Sequence, residues 1–252
     1  MRIIFLFLIT ILATQLWAHE VTLSGSYLEM QRRNETGRQA GVEGFIDLNS
    51  TQRIHLGGQY LERFDLYERI ILVGFEQKFE TFYLKADMEL GHNGRILPHY
   101  RYSLGSGQSI FQGISFYEEF KTAKYTKTEL NEFLFNVEIE KINSLVIIPM
   151  TRFGNANFIG PAGTQKLFSY GLKMMYYKED LGQIWISGTK GQEPAQAVFG
   201  SFNEVIRSKS IATGVKYLWN SSISTSLSID YTDYDLINNN FLTTNFNTTW
   251  SW

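Results

Sequence analysis

The sequence predicts an all-β protein: a transmembrane antiparallel up-and-down β-barrel of about 14 strands, with 12 strands as the alternative count. Apolar and polar side chains alternate with period two along most of the chain, for example over 82–90 and 223–231. This is the pattern of strands whose two faces meet different environments. Aromatic residues make up 15% of the 252 residues, and the chain contains no cysteine and 4 prolines. That composition fits long strands that need no disulfides.

Composition also excludes several classes of protein. Without cysteine, the chain has no disulfide framework, no thiolate zinc site and no cysteine nucleophile. The formal net charge of −2 gives no basic tail or patch for nucleic acid, so no nucleic-acid partner is expected. After residue 18 no apolar run reaches 18 residues, which argues against membrane-spanning helices.

The first 18 residues have the layout of a secretory signal peptide. Arg2 supplies positive charge, an apolar run spans 3–13, and Ala18 is a small residue at the expected cleavage site. A membrane anchor is the alternative, but the run is shorter than the roughly 20 residues that span a bilayer. We therefore predict a signal peptide at 1–18, cleavage before His19, and a barrel domain at 19–252.

Turn residues divide the domain into strands whose connections alternate in length. Short turns are predicted at 49–51, 79, 106–108, 141–143, 179–181 and 219–221, and longer loops at 32–37, 92–97, 121–126, 154–166 and 192–204. Short turns on one side and longer loops on the other are typical of outer-membrane barrels, and an even strand count puts both ends on the periplasmic side. The predicted strands are 21–31, 38–48, 52–63, 68–78, 80–91, 98–105, 109–120, 127–140, 144–153, 167–178, 182–191, 205–218, 222–234 and 240–252.

A soluble β-sandwich also has alternating strands. Its strands are usually about 5 to 6 residues long, whereas those predicted here are roughly twice that length. The polar face of this chain also carries many charged side chains, which suit a water-filled lumen better than a sandwich surface. By alternation, the residues predicted to line that lumen are Arg53, His55, Lys85, Asp87, Arg101, Glu132, Glu138, Lys173 and Lys216.

The last strand carries a predicted assembly signal. Phe246, Trp250 and Trp252 share one face, and an aromatic residue ends the chain. Outer-membrane barrels characteristically end in such a strand, which the barrel-assembly machinery reads. The same rings suit the aromatic girdle at the membrane interface.

These features resemble the YaiO family of outer-membrane β-barrels. The resemblance covers essentially all of 21–252 and is clearest in the turn and strand KEDLGQIWISGTKG at 178–191, with LSGSY at 23–27 and the closing aromatic strand. A longer loop at 154–166 and Trp252 in place of the commoner phenylalanine depart from the family. The resemblance implies an outer-membrane barrel, and some members of the family are associated with surface polysaccharide systems.

Candidate chemistry is sparse. His92 and His99 flank one loop, and solvated loop histidines are favoured there over a metal site. An outer-membrane lipid hydrolase needs a serine activated by histidine; Ser103 lies about 13 Å from His99 along one strand, which is too far. We therefore expect no enzyme activity, no cofactor and no metal. A lipid hydrolase that uses a serine on a neighbouring strand is the less favoured alternative. Lys121, Lys124 and Lys127, with Arg95, are either lipopolysaccharide contacts or an ordinary soluble loop.

The function expected from the sequence is a porin-like passage for small solutes, saccharides among them, in the outer membrane of a Gram-negative bacterium. The alternative is a closed barrel with a surface-binding or structural role, linked to surface polysaccharide. Outer-membrane lipid and lipopolysaccharide are the expected surroundings.

Overall fold

The computed structural model describes residues 19–30, 35–63, 66–92, 95–142, 144–178, 181–194, 204–235 and 239–252. The predicted signal peptide at 1–18 lies outside this part of the chain. In the described ranges no helix has the length and apolarity needed to cross a bilayer. The strands are β1 (Glu20–Met30), β2 (Glu35–Asp47), β3 (Gln52–Arg63), β4 (Leu66–Lys78), β5 (Phe82–His92), β6 (Tyr100–Phe111), β7 (Ile114–Lys124), β8 (Thr128–Ile142), β9 (Leu145–Phe158), β10 (Thr164–Lys178), β11 (Gly182–Pro194), β12 (Val205–Asn220), β13 (Ile223–Tyr234) and β14 (Asn239–Ser251).

These strands form one closed antiparallel barrel. Each pairs with its neighbours in sequence, and β1 pairs with β14 to close the sheet. Next to that closure, the backbone N–H of Trp252 donates to the carbonyl oxygen of His19 at 3.1 Å. The prediction of an antiparallel up-and-down barrel with 14 strands is confirmed, and the alternative count of 12 is wrong.

Two ends of the barrel are distinguished by their connections. The turn end carries the connections 48–51, 79–81, 112–113, 143–144, 179–181 and 221–222, together with residues 19 and 252. The loop end carries the connections 31–34, 64–65, 93–99, 125–127, 159–163, 195–204 and 235–238. The three longest connections, 93–99, 159–163 and 195–204, are all at this end, and the terminal strands meet at the other end.

The turn predicted at 106–108 is wrong. These residues belong to β6, and the chain turns instead at 112–113. Gly113 has a φ of 78°, a left-handed conformation that glycine adopts without strain. Gly107 serves a different purpose, because a Cβ there would lie 2.3 Å from the ring of Tyr83. The glycine makes room for an inward aromatic side chain and does not make a turn.

The long loop predicted at 154–166 is also wrong. β9 continues to Phe158 and β10 begins at Thr164, so the connection is only 159–163. Gly154 lies within β9, where a Cβ would stand 2.1 Å from the carbonyl oxygen of Asn131. This glycine permits close approach of two strands, which a sequence pattern does not distinguish from a loop glycine.

The outer face is apolar. Large exposed side chains such as Ile71, Leu104 and Ile184 alternate with inward residues along their strands. Rows of outward aromatic rings lie at both ends: Tyr27, Tyr67, Tyr102 and Tyr170 near the loop end, and Phe79, Phe82, Tyr217 and Trp219 near the turn end. An apolar band between two aromatic girdles is the surface of a barrel that sits in a bilayer.

Trp250 and Trp252 extend the turn-end girdle, whereas Phe246 lies at the middle of β14. All three side chains lie on the outward face, and Trp250 pairs with Val21 of β1 and Ile223 of β13. Their role as a signal for the assembly machinery stays a prediction.

The barrel lumen as candidate functional site

The inner face divides into two walls of different chemistry. We call the inward side chains of β2–β9 the charged wall, because most of the inward acids and bases lie there. We call the inward side chains of β10–β14 and β1 the hydroxyl wall. Its members include Ser169, Thr189, Ser210, Ser224, Ser226, Ser228, Asn245, Asn247, Thr249, Thr22, Ser24 and Ser26.

A histidine lies at the centre of the charged wall. His55 Nε2 is 3.5 Å from Glu43 Oε2, and His55 Nδ1 is 3.7 Å from Asp87 Oδ1. The imidazole stacks on the ring of Phe45 with centroids 4.4 Å apart. Asp87 belongs to β5, two strands away from His55. The two groups meet because Gly74 stands between them on β4, where a Cβ would lie 2.0 Å from Asp87 Oδ1.

Asp87 also joins this histidine to a lysine and a serine. Lys85 Nζ is 2.9 Å from Asp87 Oδ2, and Ser103 Oγ donates to the same oxygen at 3.4 Å. Ser103 is therefore bonded to a carboxylate, whereas His99 lies near Thr126, with 3.5 Å between His99 Nε2 and the threonine hydroxyl oxygen. These contacts do not give Ser103 the histidine partner that a hydrolase nucleophile requires.

Further ion pairs follow the wall toward β9. Arg101 donates to Glu89 at 2.9 Å, and Lys121 Nζ lies 3.0 Å from Glu119 Oε2. Each pair joins residues on one strand or on two adjacent strands. The side chains in these pairs are partly exposed or buried, so they stand against the wall rather than free in solvent.

Arg152 connects the two walls. Its guanidinium lies 3.5 Å from Glu132 Oε1, donates to Ser169 Oγ at 3.0 Å, and donates to the carbonyl oxygen of Gln192 at 3.2 Å. Glu132 is only 8% exposed, so its charge depends on this partner. Gly154, on the inner face beside Glu132, lets the backbone of β8 approach closely at this point.

The described ion pairs within 4.0 Å do not cross the lumen. Each joins groups no more than two strands apart around the wall. Near the loop end, the guanidinium of Arg63 on β3 does reach the hydroxyl wall, where it lies 4.7 Å from the ring centroid of Phe241 on β14. A barrel of 14 strands has a backbone diameter of about 28 Å at the usual strand spacing and tilt. Inward side chains about 6 Å long on both walls leave a gap on the order of 15 Å at mid-height.

The hydroxyl wall is held by short neutral hydrogen bonds between adjacent strands. Asn247 Nδ2 donates to Ser226 Oγ at 3.2 Å, and the hydroxyl oxygens of Thr22 and Thr249 are 2.8 Å apart across the β1–β14 closure. Trp185 is the largest inward side chain on this wall. Its ring lies flat over Gly214, where a Cβ would be 2.6 Å away, and Lys173 Nζ lies 5.1 Å from the ring centroid.

The loop end is narrowed by an inward-folded segment, residues 95–98. The carboxylate of Glu68, an inward residue of β4, accepts hydrogen bonds from the backbone N–H groups of Arg95, Ile96 and Leu97. Ile96 and Pro98 are buried, and the carbonyl oxygen of Pro98 lies against the inner face of Gly91. Segment 95–98 therefore lies in the lumen, against the inner face of β4 and β5, and not above the rim of the barrel.

Two buried apolar clusters add to this narrowing. Both consist of residues near the loop end of their strands, which explains why the lumen is most closely packed there. One cluster is Met30, Ile206, Tyr234 and Phe241, and the other is Ala123, Tyr125, Leu130, Ala156, Phe158 and Leu167. The sequence analysis did not identify these clusters or Glu68. The apolar triplet Ile96-Leu97-Pro98 within a loop was the available signal.

The structure places the nine residues predicted for the lumen on the inner face, but not in one site. His55, Lys85 and Asp87 form the central cluster. Arg101 and Glu132 have separate partners in Glu89 and Arg152. The remaining four lie toward the turn end: Arg53, bonded to Asp47 at 2.6 Å, together with Glu138, Lys173 and Lys216. In the described ranges, no group of three His, Asp or Glu side chains could hold a metal ion.

The basic run at 121–127 does not form one surface. Lys121 faces the lumen, while Lys124 faces outward and lies 3.5 Å from Glu129. Arg95 belongs to the inward-folded segment. Lys121, Lys124, Lys127 and Arg95 therefore do not form one surface that could contact lipopolysaccharide together.

The closed antiparallel sheet, the apolar outer band and the polar lumen are those of outer-membrane β-barrel proteins. No family model matches the chain, and neither does any curated protein sequence. Solved structures of such barrels are similar. One is described as the CymD monoaromatic hydrocarbon channel, with 9% identity, a TM-score of 0.67, and coverage of 93% of this chain and 88% of that chain.

Two further similar structures are a bacterial polysaccharide outer-membrane secretin and an anion-selective porin from Comamonas acidovorans. The secretin has 10% identity and a TM-score of 0.57, and the porin 8% and 0.53. Each comparison covers 92% of this chain and 98% of the other. At these identities the likeness concerns the fold alone.

Proposed function

We propose that this protein is a porin-like channel for small hydrophilic solutes in the outer membrane of a Gram-negative bacterium. The observation that carries the proposal is that the described ion pairs run along the wall. Charges that paired across the lumen would close it, whereas charges paired along the wall leave a central passage lined by polar groups.

The passage has two unlike mouths. Among the described residues of the turn end, inward acids outnumber inward bases, and Glu138 is exposed. The acids are Glu20, Asp47, Glu76, Glu138 and Glu140, and the bases include Arg53, Lys173 and Lys216. At the loop end, segment 95–98 and the two apolar clusters reduce the cross-section. This combination favours small solutes and cations over large or anionic ones, because a charged entrance raises the local concentration of counter-ions.

A closed barrel with a surface-binding or structural role is the second candidate. The buried apolar clusters at the loop end favour it, because complete closure of that mouth would stop conduction. Membership of the YaiO family, with a link to surface polysaccharide, is a proposal that suits this alternative. The solutes named for similar structures are not carried over, and we propose no catalytic role.

Single-channel recording separates the two candidates. The protein is refolded, its folded state is checked by heat-modifiable gel mobility, and it is inserted in a planar bilayer under a potassium chloride gradient. We expect discrete conductance steps and a reversal potential displaced toward that of potassium. A folded barrel that shows no conductance at any voltage would favour the closed barrel and defeat the channel proposal.

A further inference from the structure

A basic patch lies on the outside of the barrel near the loop end. Lys190 of β11 and Arg207 and Lys209 of β12 face outward, and we call these three residues the outer basic patch. They line a shallow cavity of about 490 Å³, together with Phe168, Tyr170 and Asp235. The patch lies outside the lumen and has no place in the conduction pathway.

The charges in the patch repel one another. Lys190 and Lys209 are direct cross-strand partners in the β11–β12 register, and like charges in that arrangement are destabilising. Asp235 lies 3.7 Å from Lys209, and both side chains are largely exposed. In the described ranges, no carboxylate oxygen lies within 4.0 Å of the side-chain nitrogens of Lys190 or Arg207. The patch therefore holds excess positive charge that an anion would neutralise.

The patch stands directly above the apolar band. Two residues toward the turn end, Gly188 pairs with Ile211, and beyond it Ile186 pairs with Thr213. A Cβ at Gly188 would have only the carbonyl oxygen of Ser210 within 4 Å, at 3.8 Å. The absence of a side chain there leaves a furrow below Lys190, between the outward side chains of Leu172 and Ile211.

Aromatic rings border the same cavity. Phe168 and Tyr170, on β10, are 53% and 52% exposed and belong to the loop-end girdle. Such rings lie at the depth of lipid headgroups. The basic side chains, the aromatic rings at headgroup depth and the furrow at Gly188 therefore occur together on the outer wall. A bound anionic lipid would use the first for its headgroup and the last for an acyl chain.

We propose that the outer basic patch binds the phosphorylated sugar headgroup of an outer-leaflet glycolipid, with an acyl chain in the furrow at Gly188. The guanidinium of Arg207 can contact two phosphate oxygens at once, while Lys190 and Lys209 act as point charges. A neutral lipid would leave the repulsion between Lys190 and Lys209 in place. The site requires that the barrel spans the outer membrane with its loop end facing outward. It does not depend on whether the lumen conducts.

Native mass spectrometry of the refolded protein in detergent tests this site. The probes are bisphosphorylated lipid A, dephosphorylated lipid A, phosphatidylglycerol and inorganic phosphate. The variant is Lys190→Gln with Arg207→Gln, which removes both charges and keeps polar side chains. The matched control is Lys124→Gln, because Lys124 is also an outward loop-end lysine but has Glu129 as its partner. Heat-modifiable mobility confirms that each variant is folded, and Lys190→Ala alone replaces the double variant if that one does not fold.

We expect the wild-type protein and Lys124→Gln to bind bisphosphorylated lipid A at least tenfold more tightly than the dephosphorylated form. The double variant should lose that preference. Equal binding of the two forms of lipid A by the wild type, or full retention by the double variant, would overturn the site. Equal competition by phosphatidylglycerol or inorganic phosphate would overturn the assignment to a phosphorylated glycolipid.

Discussion

The two walls of the lumen solve the same problem in different ways. Both must present polar groups inside the barrel without leaving them unpaired. The charged wall uses ion pairs and networks that reach up to two strands, such as His55 to Asp87 over Gly74. The hydroxyl wall uses local neutral hydrogen bonds between adjacent strands, such as Asn247 to Ser226.

This difference has energetic consequences. A buried charge that loses its partner costs several kcal/mol, whereas a neutral hydrogen bond contributes about 1 kcal/mol net. Substitutions on the charged wall should therefore have large effects that spread between strands. Those on the hydroxyl wall should have small effects that stay local.

The largest effect is expected at Arg152. Replacement by methionine leaves Glu132 buried without its guanidinium and should lower the free energy of unfolding by about 3 kcal/mol. Arg53→Met is the control, since the side chains of that pair are 30% and 36% exposed and the expected loss is below about 1 kcal/mol. Urea unfolding in lipid bicelles measures both. Equal losses in the two variants would contradict the distinction between buried and exposed pairs.

The next effect concerns the inward-folded segment. Glu68→Ala removes the carboxylate that accepts the N–H groups of residues 95–97, a loss of about 2 kcal/mol, or roughly thirtyfold in the balance between the held and released segment. Single-channel conductance should rise. Glu76→Ala removes an inward carboxylate at the other end of β4, and it should not open the loop end. An equal rise in conductance in Glu68→Ala and Glu76→Ala would show that the loss of a negative charge causes the rise, and not the release of segment 95–98.

Ion selectivity should depend on side chains of the charged wall and not on those of the hydroxyl wall. Removing one lumen charge changes the potential about 7 Å away by roughly 0.6 kcal/mol in water, or two- to threefold in ion concentration. Lys85→Ala and Arg101→Ala should therefore displace the reversal potential further toward potassium. Ser226→Ala on the hydroxyl wall should leave it unchanged. An unchanged reversal potential in both charge variants would remove these residues from the conducting wall.

The smallest effect on the free energy of unfolding is expected on the hydroxyl wall. Thr22→Val keeps the shape of the side chain and removes one neutral hydrogen bond to Thr249. The free energy of unfolding should fall by about 1 kcal/mol, and selectivity should not change. A loss as large as that of Arg152→Met would show that the two walls do not differ in the way proposed.

Much of the fold could be predicted because successive side chains of a strand point to opposite faces of the sheet, so that every second residue shares a face. This alternation places Lys85 and Asp87 on one face and also separates Lys121 from Lys124, although the basic run suggested one surface. Strand ends were less predictable. Gly107 and Gly154 resemble turn residues in sequence, but each makes room for a neighbour on another strand.

The features that the sequence did not reveal depend on pairing between strands. The meeting of His55 with Asp87 requires the register of three strands, and the outer basic patch requires the register of β11 against β12. The capture of segment 95–98 by Glu68 joins positions 27 to 29 residues apart. Period and composition carry no information about such contacts.

The closure between β1 and β14 has a consequence for how the barrel folds. Every other strand pair joins sequence neighbours and can form as a local hairpin, but Thr22 and Thr249 are 227 residues apart. Bringing such distant segments together costs far more chain entropy than closing a hairpin. We therefore expect the closure to be the slow step of folding. Until it forms, β1 and β14 each present an unpaired edge, which the bilayer interior does not tolerate.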